Sequence, residues 1–580
     1  MRLSQLFSKT SRDVPADETS LNAQLFIRAG YITKTMAGVY AMLPLGLKML
    51  NKIEAIVRTK MNNIGGQEVS LNALHPKEWW LQSGRWSTVD ILFKLNSQTG
   101  TEYALAPSHE EQVVPIAKQF IQSWKDLPEF DAARGVFPLA IYQIQTKFRD
   151  ELRSKAGLMR GREFRMKDMY DFHTTEESRA TYYESVKQAY LDAYTDMGLT
   201  AYVVQASGGI FTQKLSHEFQ VICSAGEDKT LLVPGTTIAY NQEVAPAKIA
   251  VENAIQDFLP REDMHLPGII GVNALYKIMD VDIMRCIKTL FYIDKNNVFV
   301  VAAIRADRQI NEEKLQKLHA MGELSLASPE TVLAVTGAEI GYAGLIDLVE
   351  SDTIKIYIDD SCQDLTNFEC GTNKTNFHSK NVNFGRDVAR PTYYVDIKLA
   401  QADDIDPNSG EKYEMMITAE AGNIFDLGTR YTEAFDIRYT DKNNTMQYPI
   451  MGCHGLGITR TMGLLGEIHN DEKGLCLPEA IAPYHYHLIS WYGEKDTEFA
   501  QDMVRTIANK FYADHADVVL YDDRVDKKIG IGSKLADADL IGCPVQIIVS
   551  TRNLAQGVVE VKNRKTGEIN MIPVDQIDLI

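Results

Sequence analysis

The run Lys147-Phe-Arg-Asp-Glu-Leu-Arg-Ser-Lys-Ala-Gly-Leu-Met-Arg-Gly-Arg-Glu-Phe-Arg-Met-Lys-Asp168 decides how this chain is read. It carries eight basic residues (Lys147, Arg149, Arg153, Lys155, Arg160, Arg162, Arg165, Lys167) against four acidic ones, in a chain of net charge −18. Charge alternates with apolar residues on both sides of a turn at Ala156-Gly157 and Gly161, which predicts two antiparallel strands joined by a basic loop. Arginine suits polyphosphate, because its planar fork donates two parallel hydrogen bonds and stays charged. Phe164, set among those arginines, can stack on a nucleobase. A solvated, salt-bridged hairpin has the same composition, and the run by itself leaves that alternative open.

Outward from this run, the chain reads as several domains. At about 150 residues per domain, its 580 residues suggest roughly four. Hydrophobic residues at 45% and charged residues at 24% are those of a folded protein rather than a disordered one. The longest apolar run, Val298 to Ile304, falls far short of the ~20 residues of a membrane span. The N-terminus lacks the apolar core of a secretory signal. Seven scattered cysteines without a CxxC support neither a disulfide framework nor a cysteine zinc site, so a reducing, cytoplasmic setting is expected. The overall acidity argues against a surface that coats nucleic acid, while allowing a local basic one.

Before the basic run, Leu50, Ile53, Val57 and Met61 form one stripe of a helix over Pro44 to Asn63, closed by Gly65-Gly66, with a strand expected at Gln67 to Leu71. After it, Thr174-Thr-Glu-Glu opens a helix that stops at Gly198. From about Ala225 to Arg390 the pattern becomes a separate α/β module, with strands at Thr289 to Ile293 and Val298 to Ile304 and a helix at Asn311 to Met321. Strands return at Tyr413 to Ala419 and Asp436 to Thr440. After a Pro-bounded linker at Leu477 to Pro483, the last hundred residues alternate strand and helix, the signature of βαβ units. A second cluster, Met451-Gly-Cys-His-Gly-Leu-Gly-Ile-Thr-Arg460, reads as a glycine-rich helix entry, open to close ligand approach or to tight packing. No GxxxxGK[ST] is present, so a P-loop is not the phosphate site.

Together these segments resemble the class II aminoacyl-tRNA synthetases, and specifically the bacterial-type prolyl-tRNA synthetases. Motif 1 resembles Gly38 to Gly46, motif 2 resembles Phe148-Arg-Asp-Glu151 through Arg162 to Asp168, and motif 3 resembles Gly455-Leu-Gly-Ile-Thr-Arg460. The prolyl likeness rests on Ala106-Pro-Ser-His-Glu-Glu111, Ser216-His-Glu-Phe219 with Gly226-Glu-Asp228, and Ala419 to Gly428. The resemblance covers essentially the whole chain.

It implies a mixed α/β and α+β multidomain protein. Residues 1–224 and 396–478 would form an antiparallel-sheet catalytic domain, 225–395 an inserted α/β editing domain, and 479–580 an α/β anticodon-binding domain. It implies ATP-dependent activation of L-proline to prolyl-adenylate and transfer to the proline tRNA. By the same likeness Arg149 would bridge the α-phosphate and the substrate carboxylate, and Glu151 would contact adenosine. Phe164 would stack on adenine, Arg160 and Arg460 would hold the outer phosphates, and Mg²⁺ would screen pyrophosphate without a protein metal motif or zinc. Proline would meet Ser108 and Glu110, with Arg149, His217, Phe219 and Phe425 around it. Editing of alanyl-tRNA would fall to Lys288, Gly337, Asp359 and His378, and anticodon contact to Arg524, Lys527, Lys528 and Lys534. Motif 1 implies a homodimer. Ser108, Asn423, Asp426 and His454 depart from the family's usual Thr, His, Gln and Tyr, and all four are expected to line the substrate pocket; Leu345 replaces a proline of the editing module. A synthetase for another amino acid, a catalytically silent tRNA-binding paralogue and a free-standing deacylase remain open at this level.

Overall fold

The computed structural model describes all residues except 154–155, 210, 213, 215, 251–252, 320–323, 526–528 and 580, so Lys155 of the basic run lies outside the described residues. The chain divides into two compact units. The first comprises Met1–Val203, Gly208–Glu227 and Ile417–Ile580; the second comprises Val204–Ser207 and Asp228–Met416.

The first unit is organised by a mostly antiparallel sheet. Its helices are α1 (Pro44–Asn63), α2 (Glu110–Ala117), α3 (Glu176–Asp196) and α4 (Ile458–Ile468). Its main strands are β1 (Leu139–Phe148), β2 (Glu163–His173), β3 (Ser216–Ile222), β4 (Glu414–Gly428) and β5 (Ile450–Gly457). β1 and β2 form the expected hairpin around the basic loop, followed in space by β5, β4 and β3. The strand expected at Gln67 to Leu71 shrinks to Gln67–Glu68, which pairs with β1 at the sheet edge.

Helix α1 forms where its stripe predicts, with Pro44 at a position that needs no N–H, and Leu50, Ile53, Val57 and Met61 are buried. Helix α3 is capped by Thr175, whose hydroxyl accepts from the Ser178 amide. Both pack on one face of the sheet, α3 through Tyr182, Val186, Tyr190 and Tyr194. Helix α2 covers the opposite face through Val113 and Val114 against Phe425 and Met451. The glycine-rich stretch before Arg460 forms a central strand, β5, and leads directly into α4 as expected, with Gly457 at the helix N-cap. A side chain at Gly452 would meet the Asp171 carboxylate at 2.6 Å, so its glycine serves packing within the sheet.

The C-terminal residues build a five-stranded sheet in the order Val519–Asp522, Tyr486–Trp491, Val545–Ser550, Val558–Asn563, Ile569–Pro573. The first three strands are parallel, as βαβ units require, and the last two form an antiparallel hairpin that the pattern had not announced. This region is not detached: Leu475, Leu477, Leu520, Leu540, Ile541 and Cys543 share one core with Tyr31, Leu45 and Met49. The buried Tyr31 hydroxyl donates to the Ile541 carbonyl at 2.8 Å.

The second unit holds a four-stranded sheet in the order Leu324–Leu326, Ile287–Asp294, Phe299–Arg305, Ile354–Ile358. A three-stranded sheet runs in the order Glu262–His265, Phe377–Val382, Phe368–Gly371. The unit runs on to Met416, further than the expected 225–395. The reason is packing: Ile397 is buried with Val300 and Leu315, and the Tyr413 hydroxyl donates to the Pro246 carbonyl at 2.6 Å.

Candidate active site

Alternation along a strand decides which motif residues can meet a ligand. The register puts Glu218, Asn423, Gly455, Asp168 and Gln143 in one row across β3, β4, β5, β2 and β1. Phe425, Cys453 and Tyr170 form the next row on that face, towards α2. Phe164 pairs with Lys147 further along the same hairpin.

At that end the basic loop gathers its charges. The Arg149 guanidinium lies 5.1 Å from the centre of the Phe164 ring. Burial, and then the Arg460 guanidinium close by, lower the Arg149 pKa, while Glu420, Glu151 and Glu110 act the other way. Arg149 Nε is buried and has no hydrogen-bond partner. Arg160 grips Glu151 at 2.9 Å and Glu227 at 2.8 Å. Arg460, on the first turn of α4, donates to Glu420 at 2.7 Å and to the Met159 carbonyl at 2.7 Å. Arg149, Glu151, Arg160, Phe164 and Arg460 are therefore assembled in one place, with Glu420 and Glu227 as carboxylates the sequence reading had not named. These carboxylates are hard oxygen donors of the kind Mg²⁺ takes, and each is already matched to an arginine. Among the described residues no group of three His, Cys, Asp or Glu side chains stands ready to hold an ion.

At the other end sits a buried acidic cluster. Glu110, the first residue of α2, is fully buried; Ser108 Oγ donates to its Oε2 at 2.5 Å and the Cys453 thiol to its Oε1 at 3.1 Å. The His109 amide donates to the Tyr170 hydroxyl at 2.9 Å, and its ring spans the Asn72 carbonyl at 3.0 Å and Lys147 Nζ at 2.6 Å. Lys147 also lies 2.6 Å from Asp168, so His109 and Lys147 hold the start of α2 on the sheet. Burial lowers the Lys147 pKa and takes that of His109 down to about 3. Phe425 packs against Phe211 with ring centres 4.8 Å apart and planes tilted by 40°, and Arg85 lies 5.1 Å from the Phe211 ring. Cys453, Phe211, Arg85 and Glu218 were missed by sequence reasoning. Only Glu218 carried a usable signal, the alternation within Ser216 to Phe219.

Four expected pocket residues lie on the opposite face. His217 lies in one cross-strand row with Ile424 and His454, on the side where the Tyr183 hydroxyl of α3 donates to the Ile424 carbonyl at 3.0 Å and lies 2.8 Å from the His217 ring. Burial takes its pKa down to about 4. Phe219 is fully buried against Tyr190 at 4.9 Å and Tyr194. His454 sits 2.5 Å from Asp171, whose other oxygen lies 2.8 Å from His173; the two histidines hold that carboxyl well below the usual range once its burial is offset. Asp426 pairs with Lys214 at 2.7 Å and Arg179 at 3.2 Å. Parity is the physical reason: each is an odd number of residues from Asn423, Phe425 or Cys453, or pairs with a strand residue that is. Of the four departures from the family pattern, Ser108 and Asn423 face the site.

In the second unit, Lys288 Nζ is half-buried and donates to the Ala306 carbonyl at 3.4 Å, with its pKa lowered by burial. It lies two residues from Cys286, which pairs across a bridge with Glu369. Glu369 lies 2.9 Å from His378 Nδ1, and His378 Nε2 is buried without a partner. Gly337 ends a helix with a left-handed φ of 80°. Asp359 is a structural brace rather than a pocket group: its two oxygens accept from the Ser361 amide at 2.9 Å and the Ile397 amide at 2.8 Å. Leu345 fills the unit's core.

In the C-terminal region, Arg524 forks onto Asp522 and Asp537. Lys534 cannot face RNA: it is buried, donating to the Ser490 carbonyl at 2.9 Å and the Asp522 carbonyl at 3.2 Å. Lys527 and Lys528 lie outside the described residues. No helix is long and apolar enough to cross a membrane among the described residues.

Comparison with known proteins covers this architecture end to end. The class II tRNA synthetase core domain (G, H, P, S and T) matches residues 93–469, and the anticodon binding domain matches 487–578. A proline–tRNA ligase of Bacillus pumilus is 37% identical over 579 residues, covering 100% of this chain and 99% of its own. A proline–tRNA ligase of Geobacillus kaustophilus is 37% identical over 581 residues, covering 100% and 98%. Among solved structures, the Giardia lamblia prolyl-tRNA synthetase in complex with prolyl-adenylate aligns with a TM-score of 0.56 at 15% identity, over 96% of this chain and 75% of that one. The Cryptosporidium parvum prolyl-tRNA synthetase complexed with halofuginone and AMPPNP gives 0.55 at 13%, over the same shares. At those identities the likeness is one of fold.

Proposed function

Because the chain belongs to the proline–tRNA ligases, class II aminoacyl-tRNA synthetases that use ATP, we propose that the sheet face bearing Phe164, Asn423 and Phe425 activates L-proline and passes it to the proline tRNA. One observation carries this reading: Arg149 lies across Phe164 with Arg460 acting on it, while the buried Glu110 stands on the same side of the sheet.

The chemistry asks mainly for cations and positioning. A proline carboxylate oxygen attacks the α-phosphorus, the bond to the pyrophosphate oxygen breaks, and pyrophosphate leaves. Two anions must approach, and Arg149, with an unpaired buried Nε, bridges the α-phosphate and the carboxylate. Phe164 stacks on adenine, Glu151 contacts adenosine, and Arg160 and Arg460 exchange their carboxylate partners for outer phosphate oxygens. A Mg²⁺ ion bound with the triphosphate would supply charge neutralisation at the outer phosphates, and Glu420 and Glu227, once released by Arg460 and Arg160, would be the oxygen donors there to hold it. Ser108 and Glu110 receive the secondary ammonium, and Phe425 meets the ring. A hydroxyl of the tRNA's terminal ribose then attacks the mixed anhydride, and AMP departs.

Pyrophosphate exchange tests this. Exchange should depend on proline among the amino acids, and Arg149→Ala should lower it about a thousandfold or more while tRNA affinity stays near normal. Exchange driven by another amino acid, or an active Arg149→Ala variant, would overturn the assignment.

The second unit, through Lys288, Gly337 and His378, is proposed to hydrolyse alanyl-tRNA. A pocket sized for proline rejects alanine by only ~1–3 kcal/mol per missing methylene, so a second sieve has a purpose. The orientation of His378 by Glu369 supports it. Survival of alanine-charged proline tRNA at the uncatalysed rate would remove this activity. Arg524, with Lys527 and Lys528, is proposed to meet the unstacked anticodon loop. The enzyme is taken to act in the cytoplasm as a homodimer, which sedimentation velocity checks.

A further inference from the structure

Arg85 is the charged side chain near the pocket to which the reaction so far gives no role. It is buried to 2% exposure, and its single Nη1 lies 2.8 Å from Glu111 Oε1 and 3.6 Å from Glu110 Oε2. Its guanidinium is boxed by three rings, at 5.4 Å from Trp80, 5.1 Å from Phe211 and 5.7 Å from Tyr431. Ser83 Oγ also donates to Glu111 Oε1, while Glu111 Oε2 is buried without a partner.

Two carboxylates on consecutive residues in a dry box repel each other, and the cation between them decides how each is held. Burial and Glu110 push the Glu111 carboxyl up, and Arg85 acts against both. Arg85 therefore joins α2, through both carboxylates, to Phe211 and to the Arg430–Ala434 helix through Tyr431. We propose that Arg85 is a positioning residue for proline activation, aiming the Glu110 carboxylate and seating Phe211 over the apolar side of the pocket. This rests on the reading that Glu110 receives the substrate amine.

The plain alternative is that Arg85 matters only as the counter-ion of Glu111. Pyrophosphate exchange on the full chain separates the two. Arg85→Met should raise the KM for proline about tenfold or more, with the KM for ATP within about twofold. Arg85→Lys, which keeps the charge but not the flat fork, should fall between it and the unaltered enzyme. The double variant R85M/E111Q removes the uncompensated charge, so its thermal midpoint should return towards the original value while the proline KM stays high. If the proline KM recovers together with stability, or stays within about threefold in Arg85→Met and Arg85→Lys, the positioning role is overturned. Glu110→Gln is the control on the premise. An unchanged proline KM there would sink the assignment of Glu110 itself, whereas a raised one alongside a normal Arg85→Met would sink only the role of Arg85.

Discussion

The two faces of the catalytic sheet are made of interleaved residues and do opposite work. On the α2 face, Phe164, Asp168, Asn423, Phe425 and Cys453 share one side of the sheet with Glu110, and Arg149 Nε and Asn423 Oδ1 are left buried without partners. On the α3 face, Lys167, Asp171, His173, His217 and His454 are hydrogen-bonded to one another or to Tyr183 and Tyr190, and His454 Nδ1 is left buried without a partner. Burial takes the Lys167 pKa down to about 7, a level that suits a group hidden from water. A motif read as a continuous string of letters mixes these two populations, since neighbours in sequence belong to different faces.

Three measurements can break or sharpen this contrast. The largest effect is expected on the α3 face. Asp171→Ala strands His454 and His173 without their shared carboxylate and should cost about 3–5 kcal/mol of stability, read as a fall in thermal midpoint, with the proline and ATP KM values unchanged at permissive temperature. A variant as stable as the original would mean that the face is not held by this cluster. An acid titration comes next. His75 and His109, near α2, have folded pKa values down at about 4 and about 3. Their unfolded values lie near 6.5, so their contribution is whole above that and lost as pH falls from about 6.5 towards 4, a few kcal/mol in all. Asp171 is depressed instead, so its share persists until pH falls below about 4. His217 on the α3 face is held down to about 4 as well, so midpoints that hold steady between pH 6.5 and 4.5 would mean that these buried histidines are not kept neutral by the fold. The smallest effect is Phe164→Ala. Removing a stacking ring should raise the ATP KM by about 1–3 kcal/mol in binding terms and leave the midpoint nearly unmoved. A large loss of stability there would make Phe164 a core residue after all.

Much of the fold was legible because it rests on local periodicity. The stripe from Leu50 to Met61 gave α1 its limits, and alternation around Gly157 and Gly161 gave the β1–β2 hairpin. Strand β4 was half-seen: the expected strand stops at Ala419, whereas β4 runs on to Gly428. The grouping of the residues proposed for the nucleotide was legible because most of them stand on one hairpin of the basic run. The proline side was not, for two reasons. The parity of Ser216 to Phe219 is plain in the sequence, but which parity faces substrate depends on the pairing His217↔Ile424, a contact between residues about two hundred apart. Arg85 and Phe211 come from segments without a regular pattern, and tertiary packing alone brings them to Glu110. Lys534 misled for a similar reason: a lysine on a short α/β helix looks solvated until Ser490 and Asp522 close over it.

The interior shared by Tyr31, Leu45 and Met49 with Leu520, Ile541 and Cys543 has a consequence for anyone who would take the protein apart. A truncation after the Leu477–Pro483 stretch would not liberate a minimal aminoacylating fragment. It would bare a greasy wound on the remaining piece and strand the phenol of Tyr31 without its acceptor. Exchanging this tail for that of a related chain would demand matched substitutions on both halves of the seam.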